Sequence, residues 1–271
     1  ELFDVGRTDP ALAGLLKQRS TAALAGTSLV PVREERMLYQ LCPVADVGAA
    51  TVKWPCQRAT TTVLLERTPA EAVTLRSEQE YDGYGNVTRS SNLGVVNLGT
   101  PEMPRSCAAC TTSGAFGKAC GDMCLGDEAY SETTFIAPGP DTGGRWMLGR
   151  SSRTRSGAQP TSLNVESQTF YDGPAFVGLA AGQLTLGSVT RVAQRFGMGA
   201  TDFIDVQRVR RDTNGNVVEQ VEPNGALSGS THRRLMTWDS AGLWATQVDI
   251  KLTATQSLRR DTSYDVAFEQ M

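Results

Sequence analysis

The sequence has 271 residues, of which 26 are basic and 29 acidic, giving a formal net charge of −3 at pH 7. Hydrophobic residues make up 40% and charged residues 20%, which is typical of a globular chain with a core and excludes a disordered one. The nearly balanced charge gives no general reason to expect a nucleic acid or an anionic membrane as partner. The single histidine, His232, excludes every site that needs two. No apolar run approaches the roughly 18 residues of a membrane span.

The start of the chain and its cysteines indicate where such a protein is found. The sequence begins at Glu1 without a basic and apolar signal segment, so we expect a mature or excised part of a longer polypeptide. It contains 6 cysteines, an even number, and most of them lie close together. This usage mildly favours an oxidising compartment.

Only the first segment has a helical pattern. Asp9 is a capping residue, Pro10 suits the first helical turn, and the leucines of residues 12–16 follow at helical spacing. We therefore expect one short N-terminal helix that has ended by Gly26.

The rest of the chain alternates between apolar and polar residues. In residues 73–81, Val73 and Leu75 alternate with Thr74 and Arg76, which predicts a strand with one dry and one wet face. The same alternation recurs near the end of the chain, and clusters of Gly, Pro, Asn and Asp separate such segments. The sequence therefore predicts an all-β, mainly antiparallel fold.

We interpret residues 1–271 as a single β-rich region, with a Cys-rich insertion loop at residues 100–127. Four thiols in that loop have the short paired spacing of a structural zinc site, although the second pair is one residue wider than usual. Two disulfides that staple an insertion without its own core are favoured over zinc, and free thiols are the third alternative. These four residues are Cys107, Cys110, Cys120 and Cys124.

Cys42 and Cys56 flank a turn and can pair across a hairpin. The spacing of the six cysteines does not fix how they are connected.

Two segments, residues 82–87 and 212–217, repeat the pattern Asp-x-x-Gly-Asn-Val between alternating strands. The glycine accepts a positive φ, the asparagine tolerates one, and the aspartate can bond the turn backbone. An aromatic residue before the aspartate can pack on the sheet, and weaker copies of the pattern follow at residues 171–173 and 238–243. Each copy predicts a β-hairpin. The predicted turn residues are Tyr81, Asp82, Gly85, Asn86, Tyr171, Asp172, Asp212, Gly215, Asn216, Trp238 and Asp239.

The repeated pattern resembles the core of the RHS or YD repeat of bacterial RHS toxins, Tc insecticidal toxins and animal teneurins. Residues 170–185 are similar to a segment of Tc toxin B components and SpvB-like proteins. The same proteins contain segments similar to three further stretches of this sequence, residues 133–135, 145–150 and 222–243. In order, the matches run from about Arg67 to Lys251.

This resemblance implies a β-hairpin ribbon that forms part of a hollow, cocoon-like shell. Such a shell encloses a toxic C-terminal polypeptide, and in Tc complexes the B component forms one half of it and docks on a translocation channel through its own β-propeller. We therefore expect a structural segment of a secreted bacterial virulence factor. Its partners would be the rest of the shell, the enclosed toxin and, in addition, a channel subunit. The Cys-rich insertion is not part of the family pattern, and the self-cleaving core of RHS repeat regions is absent from this sequence.

Enzymatic chemistry is not expected. No G-x-S-x-G elbow accompanies His232, and no phosphate-binding or dinucleotide-binding loop is present, so we predict no catalytic residue and no cofactor. Residues 208–211 form the most basic run, which we assign to a strand face rather than to nucleic-acid binding.

The alternative is a secreted β-sandwich module for adhesion or carbohydrate binding. It would bind its ligand through exposed aromatic side chains. The tryptophans available for this role are Trp54, Trp146, Trp238 and Trp244.

Overall fold

The computed structural model describes residues 1–4, 6, 9–45, 52–65, 73–96, 128–140, 144, 146–197, 199, 201–223, 225 and 231–264. Within these residues the protein is all-β and antiparallel, and its only helix is a single 3₁₀ turn. The predicted fold class is confirmed at this level. The chain forms two compact units. The first unit comprises Glu1–Thr133 and Arg155–Asn164, and the second comprises Thr134–Thr154 and Val165–Met271.

In the first unit, the strands are neighbours in the order in which they follow one another in the chain. The strands are β1 (Leu2–Phe3), β2 (Leu16–Ala25), β3 (Ser28–Pro43), β4 (Lys53–Leu64), β5 (Val73–Tyr81), β6 (Val87–Val95) and the first part of β7 (Ala129–Phe135). β3 and β4 are the longest strands of this sheet, and their pairing extends from Arg33 opposite Leu64 to Pro43 opposite Lys53.

In the second unit, from β10 onwards, strands that follow one another in the chain are again neighbours in the sheet. After the end of β7, a small two-stranded sheet consists of β8 (Gly139–Pro140) and β9 (Trp146–Met147). The main strands are the first part of β10 (Ser151–Gly157), β11 (Val165–Tyr171), β12 (Val189–Arg195), β13 (Phe203–Arg211), β14 (Val217–Val221), β15 (Arg233–Trp238), β16 (Ala245–Lys251) and β17 (Ser257–Asp261).

The N-terminal segment differs from its prediction. Asp9 does cap a helical turn, because its side chain accepts a hydrogen bond from the Ala11 amide at 2.9 Å, but that 3₁₀ turn comprises only Pro10–Leu12. Residues Leu16–Ala25, which the prediction allowed to be helical, form strand β2. Gly26 is part of the two-residue turn between β2 and β3, with a φ of +64°. Pairing with β3 has overridden a helical pattern that only a few leucines supported.

The burial of β5 also differs from the prediction, because Val73 and Leu75 are only half-buried. Thr74 and Arg76, expected on the wet side, are only 1% and 6% exposed. The guanidinium of Arg76 donates to Glu78 at 2.9 Å and to the Thr61 hydroxyl at 3.3 Å, so its burial is compensated. Alternation therefore predicted the strand correctly but not which face is covered.

Cys42 and Cys56 form a disulfide between β3 and β4, with their Cα atoms 5.9 Å apart. Both residues are buried. The four cysteines of the insertion loop lie outside the described residues, so the choice between disulfides and zinc there stays a prediction. In the described part of the chain, no helix is long and apolar enough to cross a membrane.

Candidate functional site: the aspartate-capped turns

The turn between β5 and β6 is held by the side chain of Asp82. Its Oδ1 accepts hydrogen bonds from the backbone amides of Tyr84 and Asn86, both at 2.9 Å. The Asn86 side-chain amide donates to Oδ2 of Asp82 at 2.9 Å. Gly85 has a φ of +85°, which an L-residue adopts only with strain. Three of the predicted members, Asp82, Gly85 and Asn86, therefore meet in one hydrogen-bonded group, since the Gly85 amide donates to the Asp82 carbonyl at 3.3 Å.

The turn between β13 and β14 repeats this geometry. Oδ1 of Asp212 accepts from the amides of Asn214 and Asn216, both at 2.9 Å, and Gly215 has a φ of +88°. The side-chain amide of Asn216 also donates to the carbonyl oxygen of Gly242 at 2.9 Å. The second copy thus reaches the next turn as well as closing its own.

The turn between β15 and β16 is a longer variant of the same arrangement. Oδ1 of Asp239 accepts from the amides of Leu243 at 2.7 Å and Trp244 at 3.0 Å, and Gly242 has a φ of +70°. The hydrogen bond from Trp244, with others from the same turn, lowers the pKa of Asp239 below its ordinary value. The carboxylate is therefore held as an ionised cap.

The aromatic residues before the aspartates anchor the strand ends. The Tyr81 hydroxyl donates to the side-chain oxygen of Gln79 at 2.6 Å, and its ring packs edge-on against Trp54. The Trp238 indole donates to the carbonyl of Val217 at 3.0 Å. The Tyr171 hydroxyl donates to the carbonyl of Ser151 at 2.8 Å, and burial raises the pKa of Tyr171.

Asp172 differs from the other three aspartates because it holds a long loop rather than a tight turn. β11 ends at Tyr171 and β12 begins at Val189. The carboxylate of Asp172 accepts four hydrogen bonds of 2.7–2.9 Å from the consecutive backbone amides of residues 185–188. Burial acts to raise the pKa of Asp172, but these four bonds outweigh it and hold the pKa below its ordinary value.

Carboxylates bridged by arginines form a second structural system, which the sequence did not reveal. The Glu166 side chain is 3% exposed and lies 2.7 Å from Nε of Arg153 and 2.8 Å from Nη2 of Arg195. Burial acts to raise the pKa of Glu166, but the hydrogen bonds from Arg153 and Gln168 and the arginine charges lower it to about 2. Similar pairs are Glu219 with Arg210 and Arg233, Asp249 with Arg259, and Glu132 with Arg89 and Arg155.

The other predicted candidates have backbone or packing roles. His232 has a φ of +54°, and its backbone amide donates to the carbonyl of Lys251 at 2.7 Å. The basic run of residues 208–211 lies in strand β13, as predicted. Among the described residues, no group of three or more His, Cys, Asp or Glu could hold a metal ion. The turns have an architectural geometry: they fix strand ends rather than place a nucleophile beside a base.

Comparisons with known proteins agree with this reading of the fold. No family model matches the chain, and no curated protein matches it. Its fold, however, is similar to that of chains in solved Tc toxin structures.

A chain of the Photorhabdus luminescens Tc holotoxin pore structure is similar at a TM-score of 0.61 and 12% identity, over 95% of this chain and 15% of that chain. The TcdB2–TccC3–Cdc42 crystal structure is similar at a TM-score of 0.58 and 12% identity, over 88% of this chain and 14% of that one. The TcdB2–TccC3 crystal structure is similar at a TM-score of 0.56 and 12% identity, over 88% of this chain and 14% of that one. This chain therefore spans a small part of the solved chains, and the similarity concerns the fold.

Proposed function

We propose that this chain is a wall segment of an RHS-type toxin shell, similar to the shell of Tc toxins, that encapsulates a toxic polypeptide and helps to deliver it. The observation that carries the proposal is the likeness in fold to Tc toxin chains over 95% of this chain. The aspartate-capped turns give it a sequence basis, because they close three hairpins where the RHS-like pattern occurs.

The mechanism is exclusion rather than catalysis. A wall of paired strands leaves few backbone groups exposed, and it separates an enclosed chain from solvent and proteases. The capped turns fix the strand ends, and the buried carboxylate–arginine pairs fix the register of neighbouring strands. Neither system supplies a reacting group, so the proposed role is non-enzymatic and needs no cofactor.

The partners would be the remaining shell and the polypeptide inside it, with a translocation-channel subunit as a further partner. The complex would be exported by a bacterium and act outside the cell. The adhesion alternative has less support. Of its four tryptophans, Trp54 and Trp238 are engaged in holding the turns, while Trp146 and Trp244 are 65% and 45% exposed.

Negative-stain electron microscopy of the native polypeptide that carries this sequence tests the proposal. We expect a hollow particle with weak internal density. Limited proteolysis should leave an enclosed segment intact, and a Gly85→Val and Gly215→Val double variant, which opens two turns, should expose it. A string of compact beads, or an internal segment that is digested at the same rate in both forms, would show that no shell is formed.

A further inference from the structure

The two copies of the Asp-x-x-Gly-Asn-Val turn differ in what covers their glycine. A Cβ added at Gly85 would lie 3.7 Å from the indole ring of Trp54, and that ring also packs edge-on against Tyr81. At Gly215, the same position of the second copy, no atom of the described residues lies within 4 Å of an added Cβ. The first turn therefore carries an aromatic ring at a place that is open in the second.

The residues that precede the two aspartates occupy equivalent places. Tyr81 ends β5 and Arg211 ends β13, and each is paired just after a shift in the strand register. The Tyr81 hydroxyl lies 3.1 Å from the carbonyl oxygen of Gln57 on β4, the preceding strand. Likewise, Nη2 of Arg211 donates to the carbonyl of Val189 on β12, its preceding strand, at 3.1 Å. Arg211 is thus the structural counterpart of Tyr81.

A cavity of about 530 Å³ lies beside the second turn. Its lining includes Arg211 and Gly215, the counterparts of the two residues that contact Trp54 at the first turn. Leu186, which is 55% exposed, belongs to the lining as well. The volume lies within the range of roughly 300–1,000 Å³ that is usual for small-ligand pockets. The second turn therefore has room for a ring of the kind that the first turn already holds.

The guanidinium of Arg211 is a fixed positive charge in this lining. Its Nη1 donates to the carbonyl of Gly215 at 2.8 Å, and its Nη2 to that of Val189. Both acceptors are uncharged, and within the described ranges Arg211 forms no ion pair. A cation that no carboxylate neutralises attracts the face of an aromatic ring. Two carboxylates in the same lining, Asp172 and Asp212, disfavour an anion.

The lining also offers an acceptor for a ring that carries an N–H. In the first turn, Oδ2 of Asp82 accepts from the side-chain amide of Asn86 at 2.9 Å. In the second turn, the amide of Asn216 donates to the Gly242 carbonyl and lies 3.5 Å from Oδ2 of Asp212. That oxygen therefore has only one long hydrogen bond in the part of the chain that the structure describes. Indole combines an aromatic face with one N–H donor.

We propose that this cavity, called here the Arg211 pocket, binds the indole side chain of a tryptophan in a partner polypeptide. The ring would lie on the Arg211 guanidinium beside Gly215, and its N–H would donate to Oδ2 of Asp212. The precedent is a tryptophan in a polypeptide, Trp54, and the exposed Leu186 provides apolar contact for the residues that flank the incoming one. The proposal is independent of the shell function, because it rests on two copies of one turn.

The test uses the 271-residue chain and a blocked pentapeptide with a fluorinated tryptophan between two pairs of glycines, observed by fluorine NMR. We expect wild-type binding with a dissociation constant of the order of 1 mM or lower, which a leucine peptide does not displace. Arg211→Gln should weaken binding about fivefold or more. Arg260→Gln is the matched control, since it removes an exposed arginine outside the pocket, and its affinity should stay within about twofold.

A second variant fills the pocket from within the chain. Leu186→Trp places an indole in the lining, so it should abolish peptide binding and raise the melting temperature. Leu258→Trp adds the same ring at a position of β17 that is 59% exposed and lies outside the pocket, and it should do neither. This pair of variants leaves the hydrogen bonds of Arg211 in place, so a loss of binding in Leu186→Trp reports on the space itself.

Three results would overturn the proposal: no binding to the wild type, equal losses in Arg211→Gln and Arg260→Gln, or unchanged binding in Leu186→Trp. Binding of free fluoroindole without binding of the peptide would replace the polypeptide by a small aromatic compound. Inorganic phosphate that binds more tightly than the peptide, and whose binding Arg211→Gln abolishes, would replace the ring by an anion.

Discussion

The side-chain amide of Asn216 lies 2.9 Å from the carbonyl oxygen of Gly242 and hydrogen-bonds one hairpin turn to the next. The turn between β13 and β14 is therefore coupled to the turn between β15 and β16. Asn86 occupies the same place in the turn between β5 and β6, where its side-chain amide bonds to Asp82 of its own turn. These two asparagines form a natural matched pair for measuring what the coupling contributes.

Asn216→Ala should destabilise the protein by about 1 kcal/mol more than Asn86→Ala, because it removes the bond between turns as well as a bond within one turn. Urea unfolding followed by tryptophan fluorescence measures both losses. Equal losses would show that the bond to Gly242 contributes no net stability.

Gly85→Val and Gly215→Val should each lower stability by about 1–2 kcal/mol, because both glycines have φ angles near +90° that a β-branched residue adopts only with strain. At Gly215 no atom lies within 4 Å of an added Cβ, so the effect there comes from the backbone alone. Gly139→Val is the control, since its Cβ also meets open space and its φ is not positive. Thermal melting that is unchanged in both turn variants would contradict the turn assignment.

Asp172→Asn should be the most damaging of the aspartate-to-asparagine changes, at about 2–3 kcal/mol, because four backbone amides lose a charged acceptor. Asparagine tolerates the positive φ of +48° at this position, so the backbone itself is not strained. Asp82→Asn, where two backbone amides donate to the carboxylate, should cost less. Hydrogen exchange of residues 185–188 should accelerate in the first variant and not in the second.

Glu166→Gln should cost about 2 kcal/mol at pH 7, because it leaves two partly buried arginines without their carboxylate. The folded-state pKa of about 2 lies below the ordinary 4.5, so ionisation of Glu166 stabilises the fold fully above pH 4.5. That contribution falls as the pH drops from 4.5 towards 2, and the difference between wild type and variant should shrink with it. Urea midpoints at several pH values across this range measure the change.

Glu132→Gln is the control for that experiment. Glu132 is also bridged by two arginines, but its side chain is 24% exposed, so solvent screens its pairs and the loss should stay below about 1 kcal/mol. A loss for Glu166→Gln that does not vary between neutral and strongly acidic pH would show that shape rather than charge is what the site requires.

The turns were predictable from the sequence, because their chemistry is local. Asp82, Gly85 and Asn86 lie within five positions of one another, and each residue type has its own reason to be there. The anchoring of residues 185–188 by Asp172 was not predictable, since nothing in the sequence links positions more than a dozen residues apart.

The buried ion pairs were missed for a related reason. Alternation predicts strands but not their register, and register decides that Glu166 faces Arg195 across β11 and β12. The same gap explains the unexpected burial of Arg76 in β5, where Thr61 on the neighbouring strand β4 and Glu78 on its own strand accept hydrogen bonds from its guanidinium. The prediction of an N-terminal helix was wrong because the leucines near Leu12 fit a helix locally, whereas the pairing of β2 with β3 makes the following residues a strand.

Within each unit, the order of strands in space is the order in which they are synthesised, from β1 to β6 and again from β10 to β17. Each newly made strand can dock on the strand completed just before it, and no strand of these two series has to wait for a distant one. Such local pairing favours fast folding and suits a chain that emerges from the ribosome from its amino end. The molecule can therefore grow by accretion, with the last finished edge serving as the template for the next strand.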